Sequence, residues 1–187
     1  MEEWAEWQKV YSHGSFVIWP IDHVRESVSR LRHEYDPVSQ SFCEAHITIT
    51  QPLLRQPSGK EWDKLSDLVS SFESFEIRYG PINTFLPYSC IWFEIHPSEV
   101  VLAIREALHA SGLFNLDLPH TDDFIPHMTI TEGQSDVKVT NNLFAKLRDE
   151  IQGGTFLCTE IAHIVPDLHF HFGVQRQLLL MGRNTGK

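Results

Sequence analysis

Apolar and polar residues follow two different periods along this chain, and together these periods predict a mixture of strands and helices. Strands are predicted where short runs are apolar or alternating, at 15–19, 44–50, 75–79, 90–95, 126–131, 156–165, 168–172 and 175–181. Helices are predicted where apolar residues recur at helical spacing, at 21–35, 62–72, 98–110 and 139–151. Because the strands are short and do not alternate strictly with helices, we expect an α+β fold with mostly antiparallel pairing.

Proline and glycine mark the expected ends of several elements. Asp36-Pro37 is expected to end the first long helix, because the residue before a proline is disfavoured in helical conformation. Gly80-Pro81 is expected to break a strand, with 83–86 continuing the sheet, and Glu132-Gly133 is expected to form a turn. No low-complexity linker divides the chain, so we expect a single domain over 1–187.

The composition narrows the class of protein without identifying it. Of the 187 residues, 42% are hydrophobic, which is enough for a sizeable core. The chain has 25 acidic and 15 basic side chains, a net charge of −10. Modules that bind long nucleic acid through its phosphates are usually basic, so this charge argues against DNA or a large RNA as the partner. The net charge does not exclude a pocket that binds one small phosphate, because a few hydrogen-bond donors in the pocket can outweigh negative charge spread over the whole surface.

The cysteines and the apolar runs indicate the compartment. Cys43, Cys90 and Cys158 are far apart and form no Cys-x-x-Cys pair, which argues against a disulfide framework and against a cysteine zinc site. The first residues are acidic and lack the basic segment followed by an apolar segment that marks a secretory signal. No apolar run approaches the roughly 18 residues that span a membrane. We therefore expect a cytoplasmic monomer with no membrane partner.

A short segment of the chain occurs twice. His46-Ile47-Thr48-Ile49-Thr50 and His127-Met128-Thr129-Ile130-Thr131 are identical at four of five positions and lie 81 residues apart. Side chains alternate between the faces of a strand. Each copy is therefore expected to place its histidine and its two threonines on one face and its apolar residues on the other.

Two histidines and several hydroxyls on one surface suit chemistry at phosphorus. In-line displacement needs a base on the attacking oxygen and an acid on the leaving oxygen, and imidazole serves both roles near neutral pH. Threonine hydroxyls can donate to the non-bridging phosphoryl oxygens, where charge gathers in the transition state. A single His-x-Thr in a strand is more often structural, but two copies in otherwise apolar strands favour a function. This arrangement requires no metal.

The paired motifs resemble those of the 2H phosphoesterase superfamily, and within it the 2′-5′ RNA ligase-like (LigT-like) and cyclic phosphodiesterase branch. The resemblance extends over most of the chain. It includes Ile18-Trp19-Pro20, Leu31-Arg32, Tyr35-Asp36-Pro37, Ala45-His46-Ile47-Thr48 with Pro52, Phe75-Glu76-Ile77 with Phe85, and Pro126-His127-Met128-Thr129.

The resemblance implies a two-lobed α+β fold with pseudo-twofold symmetry, in which small antiparallel sheets line a central cleft and helices lie outside. It implies His46 and His127 as the catalytic acid–base pair, Thr48 and Thr129 as phosphate-binding hydroxyls, and no metal or other cofactor. Many members open a 2′,3′-cyclic phosphate, or join or split 2′-5′ linkages in RNA. This chain lacks the basic residue or Phe-Leu-Gly run that often follows the motif in RNA-acting members, so a small cyclic nucleotide or short RNA end fits better.

These features lead to one main hypothesis and three alternatives. The main one is a metal-independent phosphoesterase acting on a 2′,3′-cyclic phosphate or a related 2′-5′ phosphodiester, in which His127 activates water and His46 protonates the leaving oxygen, or the reverse. The alternatives are a 2′-5′ RNA ligase, a non-catalytic protein that binds a nucleotide or RNA end, and a metallohydrolase built on the surplus histidines.

Two further groups of residues could contribute to a site. His169 and His171 would share one face of the strand predicted at 168–172, and a His-x-His pair can bind a metal. We favour a structural strand there, because no cysteine is near and Asp167 is adjacent rather than two residues away. Tyr88 and Phe85 could stack on a base, although core packing is favoured for Phe85.

Overall fold

The computed structural model describes residues 4–85, 88–132 and 136–182 of the chain. The helices in this part are Glu6–Lys9 (α1), Asp22–Tyr35 (α2), Pro37–Phe42 (α3), Gly59–Ser70 (α4), Ser98–His109 (α5) and Val137–Glu150 (α6). The strands are Ser15–Ile18 (β1), Ile47–Thr48 (β2), Phe75–Thr84 (β3), Cys90–His96 (β4), His127–Glu132 (β5), Gly154–Cys158 (β6), Glu160–Pro166 (β7) and Phe172–Leu179 (β8). Neighbouring strands of the sheet pair antiparallel, which confirms the predicted α+β fold with antiparallel pairing. Within the described residues, no helix is long and apolar enough to cross a membrane.

The two expected lobes are joined in one continuous sheet, whose order is β6-β3-β4-β5-β2-β1-β7-β8. The junction between β5 and β2 divides it into two halves of four strands. In one half β1 is followed by α2, the short α3 and then β2, and in the other β4 is followed by α5 and then by β5. A pseudo-twofold axis therefore passes between β2 and β5, the two strands that carry the repeated motif.

One face of the sheet holds the main hydrophobic core. Helix α2 packs against β5, α6 against β3 and β4, and α4 against β8 and α5. Helix α2 therefore follows a strand of one half but packs against a strand of the other, which links the halves. The opposite face carries a smaller apolar cluster. The largest fully buried side chains of the main core include Phe16, Ile18, Ile47, Ile77, Phe93 and Met128.

Asp36-Pro37 ends α2 as predicted, but it also begins α3, a helix that the periodicity did not reveal. A proline fits the first position of a helix because the N–H that it lacks would be unpaired there. The Asp36 carboxylate caps α3 by accepting from the Ser39 amide (3.1 Å). Its other oxygen accepts from the Glu132 amide (2.7 Å) at the end of β5. One buried carboxylate thus joins α3 to the second motif strand.

Two predicted strands are shorter or divided. The strand predicted at 44–50 is reduced to β2, because the amides of Ile49 and Thr50 both donate to the single carbonyl of Phe16 (2.9 and 3.1 Å) and interrupt the ladder. The strand predicted at 156–165 is two strands separated at Thr159. Of these, β6 pairs with β3 and β7 pairs with β1, so the chain crosses here from one half of the sheet to the other.

The strand predicted at 168–172 is wrong, because the chain turns there. One oxygen of the Asp167 carboxylate accepts from the amides of His169 and His171 (2.8 and 3.0 Å), and such local bonds compete with a strand ladder. Phe170 adopts a left-handed backbone (φ 63°) and is buried. The aromatic rings around it are those of Trp4, Trp7, Tyr11, Phe42 and Phe172. His169 and His171 are exposed beside this turn and do not share a strand face.

Gly80-Pro81 is a bulge within β3 and not a break. The register of β3 against β4 shifts between Tyr79 and Ile82, and Gly80 has a φ of 102°, a region that favours glycine. The predicted continuation of the sheet is confirmed as far as Thr84. Leu86 and Gly133, from the predicted continuation and the predicted turn, lie outside the described residues.

Replacing Asp36 by alanine is expected to lower the free energy of unfolding by about 2–4 kcal/mol, because two backbone N–H donors lose their acceptor and α3 loses its cap. Urea denaturation followed by circular dichroism measures this. Asp22→Ala is the control, since the Asp22 carboxylate is exposed and pairs with Arg25 at the surface, a type of pair that contributes about 1 kcal/mol or less. Equal effects of the two substitutions would contradict this role for Asp36.

Candidate active site

The repeated motifs meet in the middle of the sheet. Strands β2 and β5 are in register with Ile47 opposite Met128, and both of these side chains are fully buried. Continuing the antiparallel register by one residue in each direction places His46 opposite Thr129 and Thr48 opposite His127. Directly opposite residues have Cβ atoms about 4.5–5.5 Å apart. The four polar side chains therefore form one compact group on the face opposite the core.

The two histidines have the same local geometry. Nδ1 of His46 lies 2.7 Å from the carbonyl oxygen of Glu44, and Nδ1 of His127 lies 2.7 Å from that of Ile125. A carbonyl oxygen can only accept, so Nδ1 is the protonated nitrogen in both neutral rings. Each ring therefore has its Nε2 lone pair available to accept a proton, and each can donate from Nε2 once it is protonated.

Burial favours the neutral form of both imidazoles in the free protein. The pKa of His46 is lowered from 6.5 to about 4, mainly by desolvation and also by the nearby Arg32 and His127, while a backbone hydrogen bond to Glu44 opposes the shift. Desolvation also lowers the pKa of His127, again opposed by its bond to a carbonyl. An anion placed between the rings would raise both pKa values, because it favours the charged imidazolium.

Aromatic rings pack around both histidines. The rings of Phe85, Trp92 and Phe124 lie 5.0, 5.7 and 6.2 Å from the ring of His127. Trp19 stacks on His46 from the other half, at 6.4 Å and 14°. Phe85 also stacks on Trp92 at 4.4 Å, so it belongs to this aromatic wall and not to the main core. The wall was not predicted as a unit, because its rings come from four separate segments.

Thr50 and Thr131, which were expected to share the face of the histidines, are buried. The Thr50 hydroxyl accepts from the amide of Phe16 (2.9 Å), and the Thr131 hydroxyl accepts from the amide of Ile91 (3.2 Å). Each hydroxyl thus takes the place of a backbone acceptor where the ladder of its strand is interrupted. Thr48 and Thr129 are half-buried and remain on the open face.

Cys43 lies against the first histidine, a contact that no sequence motif indicates. Its sulfur is 3.3 Å from Nδ1 of His46. Burial raises the pKa of the Cys43 thiol to about 12. A thiol with this pKa stays protonated near neutral pH, so Cys43 is a packing neighbour of the ring and not a nucleophile.

Both motifs lie within a stretch, residues 20–169, that matches the sequence profile of the 2′-5′ RNA ligase superfamily. The chain belongs to this superfamily. A Bacillus anthracis protein described as a candidate phosphoesterase is 29% identical over 125 residues, which cover 65% of this chain and 70% of that protein. A Bacillus cereus protein with a similar description is 28% identical over the same share of both chains.

Solved structures of other proteins share the fold of this chain. Escherichia coli LigT in complex with 3′-AMP has a TM-score of 0.60 and 17% identity, and the match covers 90% of this chain and 98% of LigT. The Thermus thermophilus protein TT0787 has a TM-score of 0.59 and 15% identity over 91% of this chain and 98% of that protein. At these identities the similarity concerns the fold, which agrees with the LigT-like architecture expected from the motifs.

The second group of histidines, His169 and His171, lies on the turn between β7 and β8. The rings of His169 and His171 are 6.0 Å apart, and Nδ1 of His171 is 3.7 Å from the Asp167 carboxylate. Across the described ranges, no three His, Cys, Asp or Glu side chains are grouped so that they could hold a metal ion. The alternative of a metallohydrolase built on this pair therefore gains no support from the turn.

An NMR titration of the histidine rings tests the electrostatics of this superfamily member. We expect the pKa of His46 near 4 and that of His127 below 6.5 in the free protein, because burial disfavours the imidazolium. Inorganic phosphate is expected to raise both. Resonances are assigned with His46→Gln and His127→Gln. A pKa of either ring at or above 6.5 without phosphate, or no upward shift with it, would contradict this description.

Proposed function

We propose that this protein is a metal-independent phosphoesterase that hydrolyses a 2′,3′-cyclic phosphate, or a related 2′-5′ phosphodiester, of a nucleotide or short RNA end. The observation that carries the proposal is the register of β2 and β5, which brings His46, Thr48, His127 and Thr129 together on one face. Each imidazole lies opposite a threonine hydroxyl there, and its Nε2 carries the lone pair, because Nδ1 donates to a backbone carbonyl. Such a set supplies a base, an acid and donors to the phosphoryl oxygens.

The reaction is an in-line displacement by water. One neutral histidine takes a proton from water through Nε2 as the water oxygen bonds to phosphorus. The bond from phosphorus to one ribose oxygen breaks, and the other histidine, protonated at Nε2, gives its proton to that oxygen. Thr48 and Thr129 donate to the non-bridging oxygens. The product is a phosphate monoester, and exchange with solvent restores the protonation of both rings.

The surroundings of the two rings favour His127 as the acid and His46 as the base, the reverse of the assignment made from the motifs. Desolvation, Arg32 and His127 all lower the pKa of His46, whereas desolvation alone lowers that of His127. We assign the acid role to His127, because the positive charge of Arg32 disfavours an imidazolium at His46 and no such charge is among the causes that lower the pKa of His127. His46, which stays neutral over a wider range of pH, suits the role of base.

The relatives support a small phosphodiester as the substrate. Structures of LigT contain 3′-AMP, NADP+, ATP and phosphate, and the Bacillus relatives are described as candidate phosphoesterases. The net charge of −10 disfavours long RNA and DNA. We therefore propose a cytoplasmic, monomeric enzyme that acts on a nucleotide or a short RNA end.

A 2′-5′ RNA ligase activity is the second candidate, because the chain belongs to a superfamily named for it. Ligation uses the same displacement with a 5′-hydroxyl in place of water, so the same two histidines serve it. Incubating an RNA end that bears a 2′,3′-cyclic phosphate with a 5′-hydroxyl acceptor separates the two activities. A joined product indicates ligation, and a monoester alone indicates hydrolysis.

Turnover of nucleoside 2′,3′-cyclic phosphates in excess chelator tests the main proposal. We expect chelator-resistant activity that falls by about 10²–10⁴-fold in His46→Gln and in His127→Gln, a range typical of a lost general acid or base. His169→Gln is the control, since this exposed histidine lies on the β7–β8 turn. Lack of turnover of every cyclic phosphate, or variants as active as the wild type, would contradict the proposal.

A nucleoside p-nitrophenyl phosphodiester separates the roles of the two histidines in the same assay. Nitrophenolate leaves without being protonated, so the loss of the acid matters little for this substrate. We expect His127→Gln to lose much less activity on the nitrophenyl ester than on the cyclic phosphate, whereas His46→Gln loses activity on both. The opposite pattern would restore His127 as the base.

A further inference from the structure

We propose that two buried arginines, Arg32 and Arg105, hold β2 and β5 in register and so set the separation of His46 and His127. They are positioning residues, because their guanidinium groups bind backbone carbonyls and not the face where the substrate would lie. The inference rests on the proposed function for its kinetic consequences. Its structural consequence can be measured independently.

The junction that they would hold is short. Strands β2 and β5 are registered through one pair, Ile47 and Met128, whereas β7 and β8 pair over seven positions. A ladder of one pair offers few hydrogen bonds against sliding or twisting. Both histidines lie directly beside that pair, so any shift in it changes the distance between their rings.

Arg32 closes one end of this junction. It extends from α2, is 3% exposed, and donates from Nη1 to the carbonyl of Thr129 (3.0 Å) and from Nη2 to the carbonyl of Cys43 (3.3 Å). Its Nε donates to the side-chain oxygen of Gln40 (3.0 Å). One guanidinium therefore ties the strand that follows His127 to the segment that leads into His46.

Arg105 closes the other end in a corresponding way. It extends from α5, is 4% exposed, and donates from Nη1 to the carbonyl of Ile49 (2.6 Å). From Nη2 it donates to the carbonyls of His120 and Thr121 (3.3 and 3.1 Å). The segment after the first motif is thus tied to the segment that leads into His127.

Helices α2 and α5 occupy corresponding places in the two halves, and each sends its arginine to a carbonyl of the motif strand in the other half. The pseudo-twofold relation therefore extends from the histidines to the groups behind them. Arg105 has a second contact with the site, since its guanidinium lies 4.2 Å from the ring of Phe124, which packs near His127. Gln51 supports the same loop, through its bond to the Thr121 hydroxyl (2.9 Å).

The contacts of Arg32 and Arg105 with several carbonyls each suit a guanidinium group better than an ammonium group. A planar guanidinium presents five donors at fixed angles and can bridge several carbonyls, whereas a lysine ammonium is a compact point charge on a flexible stem. Buried carbonyls that lose their donors are costly, so these bonds favour one register strongly. A displacement of about 1 Å in a catalytic group can cost about 10²-fold in rate.

The test uses Arg32→Lys and Arg105→Lys, which keep the charge but not the bridge. We expect kcat on a nucleoside 2′,3′-cyclic phosphate to fall by about 10–100-fold in each, with KM changed by less than about threefold, because the strands carrying the two catalytic histidines shift. Val69→Ala is the stability control, since it loosens the core at α4, a helix that packs mainly against β8 and α5. We expect it to leave kcat unchanged below its unfolding temperature.

A second measurement does not depend on activity. In NMR spectra of both lysine variants, we expect the cross-strand contacts between Ile47 and Met128 to weaken while those between Ala162 and Gln177, in β7 and β8, persist. If the wild type turns over no phosphodiester, the proposed function fails and this measurement still tests the arginines.

Three outcomes would overturn the inference. The first is wild-type kcat with intact Ile47–Met128 contacts in both lysine variants. The second is a loss of kcat that Val69→Ala reproduces. The third is global unfolding of the lysine variants and also of Arg32→Met and Arg105→Met, because the guanidinium groups would then support the whole fold and not the register.

Discussion

The single registered pair between β2 and β5 is the constraint on which the rest of the molecule depends. It joins two four-stranded halves into one sheet, and it places the polar side chains of both motifs on the same open face. The buried side chains of Ile47 and Met128 fix which face that is, since a slip of one residue in either strand would turn a histidine into the core. Fold and candidate chemistry therefore share one structural requirement.

Much of this arrangement could be predicted from the sequence, because alternation in a strand determines which residues share a face. The pattern at His46 and Thr48, and at His127 and Thr129, predicted their common side correctly. It failed at Thr50 and Thr131, since an interrupted ladder left backbone amides that their hydroxyls satisfy. Local periodicity carries no information on such long-range partners. The same limit hid the aromatic wall and the two arginines, whose partners are distant in sequence.

The turn at 167–171 shows a different limit. Alternating histidine and phenylalanine fit a strand, but the Asp167 carboxylate binds two nearby amides and Phe170 enters an aromatic cluster. A local side-chain acceptor and one buried ring outweighed the strand pattern. The eleven histidines of the chain therefore serve different purposes. Two lie diagonally across the junction, each opposite a threonine, while others, such as His163 against Phe16 and Trp62, pack in the interior.

In the proposed reaction, His46 and His127 act on one phosphorus atom from opposite sides. A crystal structure of the protein with a nucleoside and vanadate, which mimics the five-coordinate transition state, tests it most directly. We expect Nε2 of each histidine at about 2.6–3.2 Å from a different apical oxygen, with the hydroxyls of Thr48 and Thr129 on equatorial oxygens. Vanadate with both histidines on one side, or vanadate bound instead in the cavity of about 280 Å³ lined by Trp19, Arg25 and Gln177, would contradict it.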